Sequence, residues 1–93
     1  MSKVTLELFI LAINRLRDLK EKYRKTKNEY ESREFHILIE TDFKEIYGQN
    51  NDKIRKGHIK KELEDLYEEK QKLKDEIDYQ ENLVEYYRGV INE

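Results

Sequence analysis

Residues 59–91 read IKKELEDLYEEKQKLKDEIDYQENLVEYYRGVI, and positions 59, 63, 66, 70, 73, 77, 80, 84, 87 and 91 follow one another by alternating steps of four and three. The stripe is Ile59, Leu63, Leu66, Lys70, Leu73, Ile77, Gln80, Val84, Tyr87 and Ile91, and eight of its ten members are apolar or aromatic. A seven-residue repeat of this kind is what a knobs-into-holes seam between helices requires. The two exceptions, Lys70 and Gln80, are expected to set register or partner number. Asn50 or Asn51 can cap the start, Asp52 suits the positive end of the helix dipole, and no residue forces a break before Asn92. The pattern predicts a long helix over 51–91, about 60 Å in length.

Working outward, the N-terminal third carries a second seam at Phe9, Ala12, Leu16, Leu19, Tyr23, Thr26 and Tyr30, again in steps of three and four, with Ser2 as its cap. It predicts a helix over about 3–33. The two seams are natural partners in an antiparallel pair, and charge favours that pairing: residues 15–27 carry +5, while residues 62–85 carry −7. Between them, residues 34–50 form a connector. There Phe35, Ile37 and Ile39 alternate with Glu34, His36 and Leu38 as a short strand would. Asp42 followed by Glu45 is a capping-box arrangement, so residues 43–47 can form a helical turn closed by Gly48. The fold class expected is all-α, an antiparallel helical hairpin or coiled coil with a compact connector, forming one helical domain over 1–93.

Composition narrows the function. Charged residues are 43% of the chain and hydrophobic ones 37%, with no proline, a balance suited to long solvated helices and not to an α/β enzyme core. Without cysteine there is no disulfide, thiolate nucleophile or thiolate metal site. His36 and His58 stand 22 residues apart and outside any ligand run, so neither a metal nor a cofactor is expected. Gly48, Gly57 and Gly89 are isolated, which leaves no phosphate loop, and a two-helix body offers no cleft to shelter paired carboxylates or a small-molecule substrate. The reading is non-enzymatic. Gly57 inside the long helix is taken to mark a close helix crossing. The apolar run from Val4 to Ile13 is interrupted by Glu7 and too short to span a bilayer, so no membrane association and a cytoplasmic location are expected.

Two features point to partners. The N-terminal segment holds Leu6, Leu8, Phe9, Ile10, Leu11, Ala12, Ile13 and Leu16, more apolar surface than one partner helix can bury. Together with the connector, it suggests an oligomer or partner interface at Leu6, Phe9, Ile10, Ile13, Leu16, Phe35, Ile37, Ile39, Phe43 and Tyr47, with a homodimer expected. A basic cluster, Lys53, Arg55, Lys56, Lys60 and Lys61, opens the long helix and could neutralise phosphates, making nucleic-acid binding the alternative. The net charge of −2 weighs against it.

The stretch TDFKEIYGQNNDKIRKGHIKKELEDLYEEKQKLKDEIDYQENLVEYYRGVI, residues 41–91, resembles small coiled-coil proteins encoded by prophages and mobile elements of Gram-positive bacteria. Its most particular part is TDFKEIYG followed by NNDKIRKGHI. The resemblance implies no catalytic residues. It implies a setting in which short proteins sequester host factors, defence nucleases among them, and so a protein-binding module that inhibits a host factor.

Overall fold

A computed structural model describes residues 2–92. They form helices α1 (Lys3–Glu40), α2 (Phe43–Tyr47), α3 (Asp52–Glu62) and α4 (Glu64–Asn92), with no strand among the described residues. The all-α class and the antiparallel pairing of the two long helices follow the heptad spacing. Contacts divide the chain into two units. One joins the residues up to Arg24 with those from Gln71 onward, and the other is Lys25–Lys70.

In the first unit, α1 and α4 run antiparallel. Leu19, Leu73 and Ile77 form a buried core, with Leu16 and Tyr23 packed on it. Writing the heptad as abcdefg with the seam at a and d, Arg15 and Glu76 both occupy g, and Lys20 and Glu81 both occupy e. Arg15 lies 3.8 Å from Glu76 and Lys20 lies 3.5 Å from Glu81. Matching g with g and e with e is the geometry of antiparallel helices, although such exposed pairs each contribute under about 1 kcal/mol. Gln80 is only 8% exposed. Its Nε2 donates to the Ala12 carbonyl at 3.1 Å, so the polar member of the seam is satisfied by backbone.

The second unit contains the turn. Tyr30 of α1 meets Tyr67 of α4 with ring centroids 6.4 Å apart, and Lys70 Nζ sits 4.8 Å from the Tyr30 centroid. Lys70, the other exception in the seam, is therefore held by a cation–π contact. Burial also lifts the Tyr30 phenol above its ordinary value, aided by the negative charge of Glu34 and by Tyr67.

Local signals account for the element ends. Ser2 Oγ accepts from Thr5 N at 3.1 Å, Asp42 Oδ1 accepts from Glu45 N at 3.1 Å, and Asn51 Oδ1 accepts from Ile54 N at 3.0 Å. Gly48 closes α2 at φ 75°, and its N–H donates to the Lys44 carbonyl at 2.8 Å.

Three expectations are corrected. The first helix does not stop near Arg33 and residues 35–39 are not a strand: α1 continues to Glu40, with Thr41 N donating to Ile37 O at 3.0 Å. The helical stripe runs on through Tyr30, Glu34, Ile37 and Thr41, all half-buried. Glu34 at a seam position concealed that continuity and left the local alternation more visible. The long helix is interrupted at Leu63, with φ −113° and ψ 25°. Hydrophobic spacing reports which side chains are buried, not the ψ of one residue, and the bonds Leu63 N to Ile59 O and Tyr67 N to Leu63 O both persist at 2.9 Å. Gly57 marks no crossing, because a Cβ there would meet nothing within 4 Å.

Candidate interaction surfaces

The seam residues Ile59, Leu63, Leu73, Ile77 and Val84 are buried, and Leu66, Tyr87 and Ile91 are half-buried. Both heptad stripes are thus consumed in holding the chain together. Of the residues expected at a partner interface, Phe9, Ile13, Leu16 and Ile37 are half-buried, being on or beside the seam of α1. Phe43 has to be withdrawn from that set. It is 2% exposed because α2 folds back onto α3 and encloses it. Its ring meets the His58 ring edge-on at 5.3 Å, and Tyr47 stacks beside it at 6.5 Å with its hydroxyl 2.6 Å from His58 Nδ1. Leu6, Ile10, Phe35, Ile39 and Tyr47 remain exposed.

The structure adds residues that spacing along the seam did not single out. Val4, Leu8, Leu11, Leu38, Ile46, Tyr79 and Tyr86 are also exposed large apolar side chains. They fall into two groups. In the second unit, Phe35, Leu38 and Ile39 are exposed at the end of α1, and Ile46 and Tyr47 on α2. In the first unit, Val4, Leu8 and Leu11 form one row on α1, while exposed Tyr79 and Tyr86 form another on α4 with the half-buried Leu83 and Val90. The signal was present as a second period of three and four beside the first, at heptad positions c and g.

The basic cluster divides. Lys53, Lys56, Lys60 and Lys61 are exposed and, among the described residues, none pairs with a carboxylate. Arg55 is half-buried and pairs with Asn50 Oδ1 at 2.6 Å and with the Asp52 carboxylate. His36 stands on exposed α1 with Nδ1 3.8 Å from Glu40, far from the His58 cluster in sequence and role. No group of three or more histidines and carboxylates is placed to hold a metal ion among the described residues. No helix there is long and apolar enough to cross a membrane.

These features define an antiparallel helical hairpin whose seams are filled and whose flanks retain apolar surface. No family model matches the chain, and no curated protein or solved structure matches it either.

Proposed function

We propose that the chain is a non-enzymatic protein-interaction module of the cytoplasm, with the helical pair as scaffold and the turn region as the surface offered to a target. The observation that carries this is the exposure of Phe35, Leu38 and Ile39 at the end of α1 and of Ile46 and Tyr47 on α2, each at least 40% accessible. Apolar side chains scattered singly need no explanation, but a group of this size at a loop is the mark of a binding surface. The rim supplies charge through Glu40, Lys44 and Glu45. The extension to a phage-encoded inhibitor of a host factor, such as a defence nuclease, rests on the resemblance over residues 41–91. Photo-crosslinking from position 39 in native host extract tests the reading. One captured protein, lost when Phe35→Ser and Ile46→Ser are combined, is expected; identical capture by both forms would refute it.

Nucleic-acid binding is the second reading, favoured by Lys53, Lys56 and Lys60 lying on one face of α3 without acidic partners. Gel shifts with duplex and single-stranded DNA at low salt decide it. If it holds, Lys56→Ala with Lys60→Ala lowers the log–log salt slope by about 2. Absence of any shift removes it.

A further inference from the structure

The first unit carries two apolar rows outside its core. Val4, Leu8 and Leu11 follow one another by steps of four and three on α1, and the next position in that row is Arg15. On α4, Tyr79, Leu83, Tyr86 and Val90 continue the same spacing, and the row begins at Glu76. Arg15 and Glu76 are the ion pair at 3.8 Å, both at heptad position g. Since g and c lie on the same flank of each helix, that contact places the two rows on one side of the pair. The opposite flank differs. There Leu6, Ile10 and Ile13 of α1 face a side of α4 made of Asp78, Glu81, Glu85 and Arg88.

The face is well exposed. Leu11 is 63% accessible, Tyr79 68% and Tyr86 65%. From these fractions and a full area of about 200 Å² for tyrosine, the rows present roughly 600 Å² per chain. A stable interface takes about 800 Å² from each partner, so this face with its charged border approaches what a dimer needs.

We infer that this face is covered by a second copy of the chain, related by a two-fold axis parallel to the helices. Such an axis preserves height along the helices and lays α1 of one protomer on α4 of its partner. The aliphatic row then meets the tyrosine row, the unlike shapes interdigitate, and the tyrosine hydroxyls reach the solvent at the edge. A two-fold across the helices would instead set like row on like row. The inference is independent of the turn region and of its target.

Light scattering across micromolar concentrations tests it. The wild-type chain is expected at twice 11.5 kDa. Leu11→Glu with Tyr86→Glu should give a monomer of unchanged helicity, because both positions are solvated in the single chain, while Leu6→Ser with Ile10→Glu on the other flank should leave the dimer intact. The geometry has its own readout, since the chain has no cysteine. A mixture of Leu11→Cys and Tyr86→Cys chains should form the mixed disulfide in preference to either self-linked product. A wild-type chain that is monomeric throughout, or a dimer indifferent to Leu11→Glu with Tyr86→Glu, would overturn the proposal; preferential linkage of position 11 to itself would overturn the axis.

Discussion

Gln80 shows how one residue can be both a weakness and a constraint. Its amide occupies a buried seam position, where leucine would bury more apolar surface, yet it donates to the Ala12 carbonyl. Gln80→Leu exchanges one hydrogen bond for a buried side chain and should raise stability by about 1 kcal/mol in urea unfolding. The same change removes a buried polar pairing across the seam, so the variant should show mixed association states by light scattering. A lower stability would mean that the hydrogen bond outweighs the burial. Tyr30 is constrained differently. With its phenol held above the usual value near 10, the folded chain keeps a proton that the unfolded chain loses. Its contribution is therefore complete below about pH 10 and is lost as pH rises through the folded value. Tyr30→Phe should remove that part of the alkaline loss, measured as the difference between the two melting-temperature profiles from pH 9 upward.

At the scale of elements, two glycines in one short span should respond with opposite signs. Gly48 sits at φ 75°, a left-handed conformation that costs other residues about 1–2 kcal/mol, so Gly48→Ala should destabilise by that amount. Gly57 lies inside α3 with open space over its Cα, so Gly57→Ala should stabilise by about 1 kcal/mol. Thermal melts of the two variants against the parent chain check both. Helix identity and the caps were legible in the sequence because heptad spacing, Asp42, Gly48 and Asn51 each carry a local physical signal. The end of α1 was not, since Glu34 broke the apolar stripe where Phe35, Ile37 and Ile39 happened to alternate. The interruption at Leu63 leaves no trace in side-chain chemistry.

For the whole molecule, the division of labour between surfaces matters more than the number of contacts. The seam was legible because its residues repeat over many turns. The flank rows were obscured because they share the same period, displaced around each helix, and because Arg15 and Glu76 look like ordinary solvated charges until they are seen paired. Burial of Phe43 was also out of reach, since only the return of α2 onto α3 encloses it. In a chain this small the core leaves little reserve. Leu73→Asp, which sets a carboxylate among Leu19, Leu73 and Ile77, should cost more than about 3 kcal/mol and abolish cooperative melting by circular dichroism at 37 °C. The clasp between Tyr47 and His58 spans 11 residues, whereas the bond from Gln80 to Ala12 spans 68. Closing the longer loop costs about 1.6 kcal/mol more in chain entropy. Folding should accordingly start at the turn and zip toward the chain ends. In stopped-flow experiments, substitutions around His58 should slow refolding, while those around Ala12 and Gln80 should mainly hasten unfolding.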